Sequence, residues 1–81
     1  MDTCSAFGKV LRQKRLAAGL SQEKLGLEAN VQRNFVSLIE RGVNQPTITV
    51  LFKLAKALRC QPSQLIADVE QMLEQDHQCG D

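Results

Sequence analysis

Apolar residues in this chain recur three and four positions apart, in five short stretches broken by Gly19, Asn30, Gly42, Pro46 and Pro62, with no sustained alternation of period two. That spacing places each stretch's apolar side chains on one face of an α-helix and argues against half-buried strands. The expected fold class is therefore all-α, a compact five-helix domain. At 81 residues the chain is one domain, of a size that buries only about 60% of the surface its unfolded form exposes. Burial supplied by a second subunit is an expected consequence. The longest apolar run is a few residues, against the ~20 needed to cross a bilayer. No basic start leads into an apolar stretch, so a cytoplasmic, unsecreted protein without a membrane partner is expected.

In chain order, residues 1–5 are expected to form an N-terminal arm. A first helix then runs from Ala6 to Ala18, with Phe7, Val10, Leu11 and Ala17 or Ala18 inward, and Gly19 closing it in the left-handed conformation. Leu20 enters the core. Ser21 caps a short second helix, Gln22 to Ala29, and Asn30 suits a tight turn because Asn tolerates positive φ. A third helix follows from Gln32 to Arg41, with Val31, Val36 and Ile39 inward and Gln32, Arg33, Asn34 and Ser37 on the opposite face. Thr47 caps a fourth, through Leu58, whose buried stripe is Ile48, Leu51, Leu54, Ala55 and Leu58. Pro62 suits the first turn of a fifth, where its missing N–H leaves nothing unpaired. Its stripe of Leu65, Ile66, Val69, Met72 and Leu73 needs a cover, and these five are the expected dimer interface. The domain is thus drawn as residues 6–74, with 75–81 a flexible polar tail carrying His77 and Cys79.

Cys4, Cys60 and Cys79 form no close pair with one another or with His77, so neither a disulfide framework nor a metal site is written here. Cys4 and Cys79 read as exposed thiols and Cys60 as a small hydrophobe. No paired acid and base, Gly-rich phosphate loop or metal spacing is present, so no enzyme, cofactor or small-molecule substrate is expected. With three Phe and no Trp or Tyr, stacking platforms for single-stranded nucleic acid are also absent. The formal charge of +1 hides an asymmetry: residues 1–42 carry seven Lys and Arg against four Asp and Glu, and residues 43–81 carry three against five. The first half can face a polyanion while the second points elsewhere, although such charges equally make ordinary solvated helix faces.

Two short helices joined by a tight turn, with Gly26 allowing close approach, are the parts of a helix-turn-helix. Arg suits guanine, Gln and Asn suit adenine and Ser suits either base, and Gln32, Arg33, Asn34 and Ser37 cluster where a recognition helix meets the major groove. By residue type alone the same face fits a solvated helix. Residues 7–66 resemble the Cro/repressor-type (XRE) helix-turn-helix domain, the fold of the lambda repressor, through GLSQEKL at 19–25, SLIERG at 37–42 and NQPTITVLFKLAKAL at 44–58.

The resemblance implies a transcriptional regulator that binds a palindromic, double-stranded operator as a homodimer in the bacterial nucleoid. It implies base contacts from Gln32, Arg33, Asn34, Ser37 and Leu38, and phosphate contacts from Gln22, Asn44 and Gln45. It further implies a structural salt bridge between Arg15 and Glu40. The segment QRNFVSLIERG and the short length also resemble the controller proteins of bacterial restriction-modification systems, which commonly carry Tyr where this chain has Phe35. Asn30 and Arg59 stand where the family usually has Gly, and Lys14 where it often has Leu or Ile, so its stem is expected to cross the core edge. Two rival functions use the same helices: an antitoxin that binds both operator and toxin, and a helical protein-protein adaptor that has lost DNA binding.

Overall fold

The computed structural model describes the backbone of residues 1–80 and the side chains of residues 1–75. Five helices follow in order, α1 (Thr3–Ala17), α2 (Gln22–Ala29), α3 (Arg33–Glu40), α4 (Ile48–Ala57) and α5 (Pro62–Gly80), with no strand among the described residues. Side chains that satisfy the free N–H groups of the first turn start three of them. The Asp2 carboxylate accepts from Ser5 N–H at 2.7 Å, Ser21 Oγ from Lys24 N–H at 3.0 Å and Thr47 Oγ1 from Val50 N–H at 3.1 Å. Gln32, at the start of α3, makes no such bond.

The Asp2 cap corrects the expected arm: Thr3, Cys4 and Ser5 form the first turn of α1, three residues before the expected start at Ala6. Cys4 is correspondingly half-buried, its thiol donating to the Gly42 carbonyl at 3.2 Å. Asn30 turns the chain out of α2 at φ 56°, as its tolerance for the left-handed region suggests, and Arg59 adopts the same region at φ 58° after α4. A left-handed residue with a Cβ costs about 1 kcal/mol. α5 continues past residue 74, where the apolar stripe ends, and the expectations for His77 and Cys79 lie outside the described side chains.

α1 packs on α5 and α3, α2 on α3 and α4, and α4 on α5. The space between them holds Phe7, Val10, Leu11, Leu25, Val36, Ile39, Leu51, Leu54, Leu65 and Val69. Leu20, Val31, Phe35, Leu58 and Cys60 lie against that core, half-buried. Burial pushes the Cys60 thiol pKa up, with Lys14 opposing and Asp68 adding to the shift. Lys14 crosses the core edge as expected and ends on Asp68 Oδ2 at 3.1 Å, linking α1 to α5.

Two expected burials are corrected, and part of the expected interface lies in the core. Ala17 and Ala18 are exposed, because the buried face of α1 ends at Arg15, in its last turn. Ile48 is 71% exposed on the first turn of α4. Within the stripe assigned to a dimer interface, Leu65 is 0% exposed and belongs, with Val69, to the chain's own core. Neither has surface left for a partner to cover. Ile66 remains 43% exposed, and Met72 and Leu73 are half-buried.

Candidate nucleic-acid interface

α3 carries the face that the sequence points to. Val36 and Ile39 are fully buried beneath it, and this fixes the rotation of an eight-residue helix about its axis. Gln32, Arg33 and Asn34 are left exposed at its start, with Ser37 and Leu38 half-buried one turn on. Arg41, which the sequence reading does not single out, is exposed at the C-terminal end of α3. Asn34, Ser37 and Arg41 stand three and four residues apart, so they share one helix face; that spacing is the available signal. Phe35 packs on the core and is only half-buried.

The angle between α2 and α3 is set by close backbone contact. A Cβ at Gly26 would lie 2.6 Å from the Val31 carbonyl oxygen, so no side chain fits there. Gly8 plays the same part between α1 and α3: its Cβ would lie 2.4 Å from the Ile39 oxygen and 2.7 Å from the Glu40 oxygen. Nothing in the sequence pattern distinguishes Gly8 from an ordinary helix-interior glycine.

A buried polar cluster locks the same three helices. Arg15 Nε donates to Glu40 Oε2 at 2.6 Å and Nη2 to Oε1 at 3.0 Å, a two-pronged pair, while Nη1 donates to the Leu20 carbonyl at 2.8 Å. The hydrogen bonds to Glu40 hold the Arg15 guanidinium pKa above its ordinary value, against the opposing effect of burial and with added help from the Glu40 charge. The structural salt bridge implied for Arg15 and Glu40 is thus present, and it has a third member. Gln22 Nε2 donates to Glu40 Oε1 at 3.1 Å, so this side chain, expected on a phosphate, has one amide hydrogen held inside the cluster.

In the loop after α3, the Asn44 N–H donates to the Leu38 carbonyl at 3.3 Å, Asn44 is half-buried and Gln45 is exposed. At the N-terminal end of α1, the Ser5 backbone N–H is the main influence holding the Asp2 carboxyl below the usual range. Among the described residues no group of His, Cys, Asp and Glu is placed to hold a metal ion, and no helix is long and apolar enough to cross a membrane.

A short, rigidly seated helix with a polar outer face, preceded by a second helix at a close-packed turn, is the arrangement of a helix-turn-helix DNA-binding transcriptional regulator. The chain belongs to that helix-turn-helix (XRE) family, whose model matches residues 11–65. It is similar to the control protein C.BamHI of Bacillus amyloliquefaciens, with 41% identity over 61 residues that cover 74% of this chain and 75% of that protein. The restriction-modification controller protein C.AhdI from Aeromonas hydrophila superposes with a TM-score of 0.75 at 39% identity, over 76% of this chain and 94% of that one. The clp gene regulator ClgR from Corynebacterium glutamicum shares the fold, with a TM-score of 0.86 at 23% identity over 96% of this chain and 84% of that one.

Proposed function

We propose that this chain is a homodimeric transcriptional controller that occupies an inverted-repeat operator in double-stranded DNA, in the bacterial cytoplasm. The observation that carries this reading is the exposed polar start of α3, on a helix whose other side is locked into the core. Arg33 reads a guanine, Gln32 and Asn34 read adenines, Ser37 reads either purine and Leu38 meets a thymine methyl. The phosphates on either side are held by the backbone N–H groups at the start of α2, beside Gln22, and by Asn44 and Gln45 in the loop after α3. The similarity to control and controller proteins supports a place in a restriction-modification system.

The dimer face proposed here keeps Ile66 of the α5 stripe and extends onto α4 instead of along α5. Ile48, Phe52 and Ile66 are large, apolar and exposed, at 71%, 57% and 43%. Ile48 and Ile66 line one shallow groove with Pro46, and Ile48 and Phe52 line the next, so the three are contiguous across α4 and α5. Contiguous exposed apolar surface of this kind marks an interface.

Selection of duplexes from a random pool by the purified protein tests both parts. The expected product is a palindrome whose half-site centres lie about 10 base pairs, or a small multiple, apart. Arg33→Ala is expected to relax the preference at one base pair per half-site and to weaken specific binding by about 1–3 kcal/mol. Enrichment of no duplex by the wild-type protein, or unchanged discrimination by the variant, counts against the assignment.

A further inference from the structure

The second half of the chain reads as acidic, and its three cations, Lys53, Lys56 and Arg59, are outnumbered there by five carboxylates. The fold separates the two signs. α4 lies against α2. This brings Lys53, Lys56 and Arg59 to one concavity of about 440 Å³ beside the end of α2 and the turn residue Asn30. Glu28 is the one carboxylate that lines it; Asp68, Glu70 and Glu74 lie along α5 and do not. All three cations are exposed, and none is paired with a carboxylate among the described residues.

We propose that Lys53, Lys56 and Arg59 form a second anion-binding surface, which holds the phosphate backbone of the DNA flanking each half-site and so extends the footprint beyond the helix-turn-helix. The inference rests on the DNA-binding reading above. Two observations together favour a nucleic-acid backbone over an acidic protein. The concavity carries three cations against one carboxylate, Glu28, so its charge complements a polyanion. Its apolar lining consists of Ala29 and Ala57 alone. Protein partners are held mainly by large apolar or aromatic anchors in pockets; the concavity itself has none, and Ile48 and Phe52 belong to the adjoining groove, which Lys53 and Lys56 also border. A duplex backbone needs only cations at its spacing, with one negative charge per ~1.7 Å of axis.

The test uses the full chain and the duplex it selects, extended by flanking base pairs on each side. The variant is Lys53→Gln, Lys56→Gln and Arg59→Asn combined; Gln favours helix and Asn tolerates the left-handed backbone at 59, so the fold is retained. A thermal melt matching wild type confirms this. Binding is measured across a salt series, and phosphate ethylation interference maps which backbone phosphates the protein touches. The variant is expected to keep its base preference while its salt slope becomes shallower by about 0.9 for each phosphate that it no longer neutralises. Interference at the outermost phosphates, present with wild type, is expected to vanish. An unchanged slope with an unchanged interference pattern, while specific binding persists, overturns the inference and leaves the proposed function standing, with the cations then free for an acidic protein partner. Failure of the wild-type protein to select any duplex overturns the proposed function and this inference together.

Discussion

Glu40 is the residue on which the most depends. Its side chain is 2% exposed and accepts hydrogen bonds from Arg15 and Gln22, while Arg15 is itself 7% exposed. Removing one member of such a pair leaves an uncompensated buried charge, which costs about 3–5 kcal/mol. That is a large share of the total stability expected of a domain this size, about 5–15 kcal/mol. Glu40→Ala is accordingly expected to lower the unfolding free energy by about 3 kcal/mol or more in urea titration. Arg15→Met combined with Glu40→Leu is expected to recover most of that loss, because no unpaired charge remains. A single-variant loss below about 1 kcal/mol would show that the pair does little for stability. The Arg15–Glu40 pairing is legible only through the family resemblance. Gln22 as its third member is not legible at all, since no periodic spacing relates residue 22 to residue 40.

Helix boundaries are largely local matters, and the sequence predicts them well where local chemistry sets them. Ser21, Asn30, Thr47 and Pro62 stand where the structure starts or ends its helices. The start of α1 escapes the pattern because Asp2 lies outside the apolar stripe that signals the helix. The spacing permits Ile48 and Leu51 to share one buried face; periodicity gives a shared face but not how far the neighbouring helices extend along it. Gly8 shows the opposite limit. In an isolated helix Gly→Ala is worth up to about 1 kcal/mol in favour of Ala. Here the added methyl meets two backbone oxygens of α3, at 2.4 and 2.7 Å, that cannot swing aside. Gly8→Ala is therefore expected to destabilise by about 1–3 kcal/mol, read as a lowered melting temperature. A raised one would mean that α1 and α3 can separate without loss.

The proposed association of two chains turns on apolar surface that is still exposed once the five helices have packed. Leu65 and Val69 fill the chain's own core, while Ile48, Phe52 and Ile66 stay exposed beside one another across α4 and α5. Because Phe52 is exposed in the single chain, Phe52→Lys is expected to leave its helical content unchanged. The same substitution places a charge in the proposed dimer face. Sedimentation is expected to find the variant monomeric at concentrations where the wild type is dimeric, and its affinity for the selected palindrome is expected to fall as paired binding disappears. A wild-type chain that sediments as a monomer would remove the proposed role of this face.

The five helices, their order, most of their caps and the polar start of α3 follow from the sequence, because hydrogen bonding within a turn and periodicity along a helix act over a few residues. The angle of α2 to α3, the exclusion of any side chain at Gly8, the capture of Gln22 by Glu40 and the gathering of Lys53, Lys56 and Arg59 beside Asn30 are decided only when the helices pack. Each depends on contacts between distant parts of the chain. Helical period alone specifies which residues share a face, and packing decides what that face meets.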